Sequence, residues 1–158
     1  IKAMGGATFL IFMRGFIGEI FGGWLADKWK DAGGAPNKVM RTMFGGSAAI
    51  AALCILLVAY TPDAFTVISL LCVALFFIRW CGMYWCLPAI LGGKSKAGVL
   101  GGSMNFCGNM VGVIVPILIG LIVQFTGSYF LALIFFVVMA FGLMLFSSLI
   151  DYRERGLA

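Results

Sequence analysis

Five runs of predominantly apolar residues dominate this chain, at positions 5–26, 42–60, 65–90, 99–123 and 128–150. Each is about 20 residues or longer, which at about 1.5 Å per helical residue is enough to cross a hydrocarbon core of about 30 Å. Lipid offers no hydrogen-bond partner to a backbone amide or carbonyl, so a crossing segment must satisfy those groups internally, and each run is predicted to be a helix. The expected fold class is all-α, a polytopic membrane bundle of five transmembrane helices, with the lipid bilayer as its solvent.

The composition demands the same solvent. Of 158 residues, 63% are hydrophobic and 11% are charged, against about 25% charged in a soluble domain. A water-soluble fold of this size has too much surface for its volume to hide so much apolar area. The chain starts at Ile1, and its first apolar run contains Arg14 and Glu19. That run is a poor signal peptide, and the chain is expected to begin inside a longer protein.

The net charge of +5 would suggest nucleic acid as the partner of a soluble domain. Here the positive charges mark topology instead, and no nucleic-acid partner is expected. Lys28, Lys30, Lys38, Arg41, Lys94, Lys96, Arg153 and Arg155 fall in alternate connections and the tail, while the opposite side has only Lys2. The positive-inside rule puts the connection at 27–41 and the C-terminus in the cytoplasm, in a plasma membrane that in a bacterium is the inner one. The second and fifth runs carry no charge and are expected to face lipid.

Enzyme chemistry has little to work with. There is no histidine, so neither a His-based metal site nor a Ser–His or Cys–His dyad can be built. Cys54, Cys72, Cys81, Cys86 and Cys107 all lie in apolar runs with no redox or zinc spacing, and they read as small buried hydrophobes. No enzyme activity, metal or cofactor is expected.

The charges inside the runs are the candidates for function. Arg79 lies about 14 residues, or about 20 Å, into the third run, near the bilayer midplane. A charge at that depth is costly, and usually faces a cavity or a partner. Trp80, Tyr84 and Trp85 follow it, then Pro88, which removes a backbone donor and can bend the helix. Arg79 is read as an anion-binding residue of a substrate cavity, with Tyr84 and Trp85 beside it. The alternative is a structural arginine paired with a carboxylate on another helix.

Arg14 and Glu19 are five residues apart, about 140° around a helix, so they make a poor pair with each other. Each needs a partner elsewhere. Arg14 is near mid-depth and is a second candidate for the anion. Glu19 is a structural counter-charge or a proton carrier, since burial favours the neutral form of a carboxyl group.

The fourth run has the clearest pattern. Gly98, Gly102, Asn105, Asn109, Gly112, Pro116 and Gly120 fall within an arc of about 80° at helical spacing. This face either packs closely against another helix or presents Asn105 and Asn109 to a hydroxylated ligand. At the end of the first run, Gly23 and Asp27 are four apart, and Lys28 follows. A glycine there permits close approach, and the aspartate can cap a helix or meet a basic side chain.

Gly23-Trp24-Leu25-Ala26-Asp27-Lys28 resembles the cytoplasmic loop motif of the major facilitator superfamily. The stretch from Gly101 through Asn105 and Asn109, with Gly112, Pro116, Gly120 and Thr126-Gly127-Ser128, is similar to the eleventh helix of its anion:cation symporter branch. That branch includes bacterial transporters of hexuronates, sugar acids and other organic anions. The resemblance covers essentially the whole chain, residues 1–158, as the eighth to twelfth helices of a twelve-helix protein.

It implies secondary active transport, as proton-coupled symport of a small organic anion such as a sugar acid, by alternating access. The coupling ion would be a proton or sodium, and the partner in forming the cavity would be the N-terminal half of the same transporter. Asn105 matches the place of a substrate-contacting asparagine in the family. The basic end of the loop motif departs from the family pattern, because residues 29–37 precede Lys38 and Arg41. The reading from another class is a non-transporting membrane scaffold or assembly subunit, with Arg14 and Arg79 paired internally.

Overall fold

The computed structural model describes residues 2–153, and the side chains of 5–153 except Lys94. Arg155 of the basic tail lies outside the described residues, as do the side chains of Lys2 and Lys94. The elements are α1 (Lys2–Asp31), α2 (Pro36–Tyr60), α3 (Ala64–Ile78), a 3₁₀ segment (Arg79–Cys86), α4 (Leu87–Thr126) and α5 (Phe130–Leu149). Five spans among the described residues are long and apolar enough to cross a membrane, so this is an integral membrane protein with the all-α fold the sequence predicts.

The predicted connection at 27–41 shrinks to a tight turn. α1 continues to Asp31, and its end is a glycine-based stop. Gly33 has φ +88°, its N–H donates to the Lys30 carbonyl at 2.9 Å, and the Gly34 N–H donates to the Trp29 carbonyl at 3.0 Å. This pair of bonds is the Schellman pattern, which satisfies carbonyls that the helix end would leave open. Lys28 and Lys30 lie in the last turn, where cations suit the negative end of the helix dipole. Gly23, Asp27 and Lys28 therefore stand on α1, and Arg41 stands on α2. Hydropathy marks where a helix leaves the membrane; it does not mark where the helix stops.

The third and fourth spans are corrected in the same way. The third is α-helical only to Ile78 and then tightens into eight 3₁₀ residues, a stretch longer than most 3₁₀ runs. No loop spans 91–98. Helix runs through it and breaks at Gly93, with φ 52° and ψ −160°, a conformation open in practice only to glycine. The charged Lys94 and Lys96 read as a loop in sequence, yet the backbone spends only one residue on the bend.

Two compact units make up the chain, Ile1–Gly82 with Leu133–Asp151, and Met83–Ala132 with Tyr152–Ala158. In the first unit α3 packs against both α1 and α2. Ala51 and Cys54 of α2 meet Ala74 of α3, with Ile55, Leu70 and Ile78 around them. Small side chains here bring the helices close enough for dispersion, the main attraction left between apolar helices in lipid.

α2 corrects the expectation of a lipid-facing helix. Val39, Met40, Met43, Phe44, Ser47, Ala48, Ala51, Ala52 and Cys54 are buried, and only its other face, with Ile50, Leu53 and Leu57, is exposed. An uncharged helix suits a protein interior as well as lipid, since both are apolar. The α2 start also ties to the chain beyond α5. Arg41 Nη2 donates to the Ile150 carbonyl at 3.0 Å, and Asn37 Nδ2 donates to Asp151 Oδ1 at 2.7 Å.

Asp63 caps α3. Its Oδ2 accepts from the Thr66 backbone N–H at 2.8 Å and from the Thr66 hydroxyl at 2.6 Å. These bonds to Thr66, the hydroxyl first, favour the charged form and lower the carboxyl from its ordinary value. The cap thus contributes above the unfolded carboxyl value of about 3.9, and is lost as pH falls through the lowered folded value. In a pH titration by NMR, the Thr66 amide resonance is expected to move with a midpoint below the ordinary aspartate range. Asp63→Asn should abolish that transition; a midpoint at or above 3.9 would contradict the cap.

Candidate functional site

A stripe of small residues builds the site. Gly15, Gly18, Gly22 and Ala26 of α1 recur at spacings of three and four, and all are buried. A Cβ at Gly15 would meet Leu75 at 3.1 Å and Arg79 Cγ at 3.3 Å. One at Gly18 would fall on the Phe76 carbonyl, and one at Gly22 would sit 2.7 Å from the Trp80 ring. The glycines let the α1 backbone lie directly on α3, the packing expected of small residues in membrane helices.

This approach sets the charges. Glu19 of α1 and Arg79, the first residue after α3, meet with Nη1 to Oε2 at 3.7 Å, each side chain about half exposed at 48% and 44%. Gly82 is part of the fit, because a Cβ there would come 2.6 Å from Glu19 Oε1. The structure thus supplies the carboxylate partner that the alternative reading of Arg79 requires, and it comes from the first helix.

Arg14 is left without an ion-pair or hydrogen-bond partner among the described residues. It enters a cleft of about 550 Å³ between α1 and α3, lined with Leu10, Phe65, Ser69, Cys72, Phe76 and Phe77 among others. In α3 the spacing 65, 69, 72, 76 and then 79 puts these residues and Arg79 along one face. The cleft is mostly apolar, with one guanidinium and one hydroxyl. Two arginines and one glutamate along the seam leave one positive charge uncompensated.

Sequence reasoning missed Ser69, Cys72 and Phe76 as lining residues. Their three-and-four spacing with Arg79 was the available signal, but an apolar run makes many such spacings. It also missed the environment of Trp80. That ring packs on Phe21 at 6.1 Å and Phe77 at 5.0 Å, and its buried Nε1 has no hydrogen-bond partner among the described residues. Next to it, Cys81 Sγ lies 3.6 Å from the hydroxyl of buried Ser47, which ties the 3₁₀ segment to α2.

The other candidates form separate groups. Asn105 and Asn109 are exposed on α4, and Asn109 Nδ2 donates to the Asn105 carbonyl at 2.9 Å and to its Oδ1 at 3.1 Å. The two amides form one polar patch. A Cβ at Gly98, Gly102, Gly112 or Gly120 would meet nothing within 4 Å, so the close helix contact considered for this face is not made among the described residues. Tyr84 is half-buried and Trp85 exposed on the 3₁₀ segment. Asp27 pairs within α1 with Lys30 at 3.8 Å, and Lys28 lies 4.9 Å over the Trp24 ring.

No family model matches the chain. The chain is similar to a probable sulfoacetate transporter of Cupriavidus necator, 32% identical over 131 residues that make up 82% of this chain and 30% of that protein. It is 32% identical to a hexuronate transporter of Bacillus subtilis over 97% of this chain and 36% of that protein. A D-galactonate transporter of Escherichia coli is 28% identical over 74% of this chain and 27% of its own length. The chain therefore spans about a third of the length of these curated relatives.

Proposed function

We propose, on the premise that this chain is a member of the sugar-acid branch of the major facilitator superfamily, that it takes part in proton-coupled symport of a small organic anion. The chain would contribute five helices of the C-terminal half, and the N-terminal half would close the cavity for alternating access. The C-terminus would face the cytoplasm of a bacterium, across its inner membrane. Relatives named as transporters, not enzymes, support a transport role.

One observation carries the reading. Among the described residues Arg14 stands in the α1–α3 cleft with no counter-charge of its own, whereas Arg79 has one in Glu19. A lone guanidinium at membrane depth is costly unless an anion or water meets it, and its flat fork suits a carboxylate or sulfonate. Asn105 and Asn109 would offer their amides to the hydroxyl groups of such an anion, and Tyr84 and Trp85 are further candidate contacts. Gly23, Asp27, Lys28 and Arg41 belong to the cytoplasmic gate.

The Glu19–Arg79 pair favours a second reading, a non-transporting scaffold, because it neutralises Arg79 inside the chain. Uptake decides between them. The full-length protein in proteoliposomes is expected to accumulate one of galactonate, glucuronate or sulfoacetate saturably, faster with an inward proton gradient than with a sodium gradient. Arg14→Ala is expected to weaken uptake about 10-fold to 100-fold, the cost of one charge-assisted contact. No uptake of any of these anions by folded protein would support the scaffold.

A further inference from the structure

The seam between α1 and α3 holds an unequal set of charges. Among the described residues, its charged side chains are Arg14 and Glu19 from α1 and Arg79 from the start of the 3₁₀ segment. α2, the other helix against α3, contributes Ser47 and its contact with Cys81 there; its own cation Arg41 is engaged at Ile150. One anionic group can therefore settle on Arg14 and leave the Glu19–Arg79 pair untouched. A second anionic group finds Arg79 already occupied.

We infer that the charge of the ligand sets its demand for protons, and that Glu19 is the group that meets the demand. This rests on the anion-transport reading above. A monoanion neutralises Arg14 and needs no proton at the seam. A dianion places its second carboxylate on Arg79 and displaces Glu19. The freed carboxylate then has no counter-charge, and an uncompensated charge at this depth is expensive. One proton from the aqueous phase adds to a Glu19 carboxyl oxygen and removes that cost. No covalent bond to the ligand forms or breaks, and the seam with its ligand stays at the same net charge in both cases.

The local geometry permits the exchange. The pair is at 3.7 Å and half exposed, so a ligand can reach Arg79. Gly15, the residue after Arg14, lies against Arg79, where a Cβ would come 3.3 Å from Arg79 Cγ, which brings the two cations to the same level of the seam. Gly82 leaves room at the Glu19 carboxylate. The exchange separates Glu19 from an opposite charge and needs no movement of a helix.

The test compares D-galactonate with galactarate, the mono- and dicarboxylate of one skeleton, on the purified full-length protein in nanodiscs. Calorimetry in buffers of different ionisation enthalpy counts protons taken up on binding. Galactarate is expected to take up about one proton more than galactonate, and its affinity to fall about tenfold per pH unit relative to galactonate as pH rises, the slope of one linked proton. Glu19→Gln is expected to remove that difference. The wild-type comparison stands even where the variant folds poorly. Equal proton uptake for the two anions, or a difference that survives in monodisperse Glu19→Gln, would overturn the inference while leaving anion binding in place. Binding of neither anion would overturn the transport reading itself, and this inference with it.

Discussion

Gly18→Leu is expected to pull α1 off α3 and to lower the thermal midpoint of the full-length protein more than any other single change on this seam. A side chain at Gly18 meets the carbonyl of Phe76, which is backbone and cannot rotate away. Overpacking a well-filled contact costs about 1–3 kcal/mol, and here the helices themselves must separate, so the loss should reach or exceed the top of that range. Gly22→Ala is milder, because the Trp80 ring it meets at 2.7 Å can shift. Gly46→Ala is the reference, since a Cβ there meets nothing within 4 Å. A scan of melting midpoints for the three variants orders them. Equal midpoints for Gly18→Leu and Gly46→Ala would mean that α1 and α3 do not touch at Phe76.

Arg79→Ala is expected to abolish uptake of a dianion such as galactarate or sulfoacetate while the protein still folds. The pair with Glu19 is half exposed, and half-exposed pairs contribute far less to stability than buried ones. The loss of a charge-assisted contact to the ligand is worth about 100-fold in affinity, and Glu19 then stands unpaired in the same groove and repels the anion. The double variant Glu19→Gln with Arg79→Gln separates the two effects. It removes the stranded charge, so folded yield should match wild type, while uptake stays absent. Recovery of uptake in the double variant would mean that Arg79 serves only to balance Glu19. A fall in folded yield for Arg79→Ala, restored in the double variant, would make the pair a structural element.

Much of the candidate site was legible residue by residue. Arg14, Glu19 and Arg79 stand out as charges inside apolar runs, and the 140° between Arg14 and Glu19 rules out their pairing along one helix face. What the spacing could not supply was the partner. Glu19 could meet any cation within reach of its depth, and a one-dimensional pattern gives depth without rotation. The glycines at 15, 18 and 22 were visible as a cluster, but whether a small stripe is filled by another helix depends on what lies opposite. On α1 it is filled by α3; on α4 the similar stripe at Gly98, Gly102, Gly112 and Gly120 stays open.

The sequence by itself determined the number of membrane spans, their rough limits and the residues that carry charge into the bilayer. Those follow from hydropathy summed along the chain, because crossing lipid is a cost paid segment by segment. Only the tertiary structure decided that, among the described residues, Arg79 is paired and Arg14 is not, that α2 buries one face, and that the bend after Pro88 is one glycine wide. Each of these depends on how helices rotate and how closely their backbones approach. In lipid that is set by the fit of small surfaces, which leaves almost no trace in average hydrophobicity.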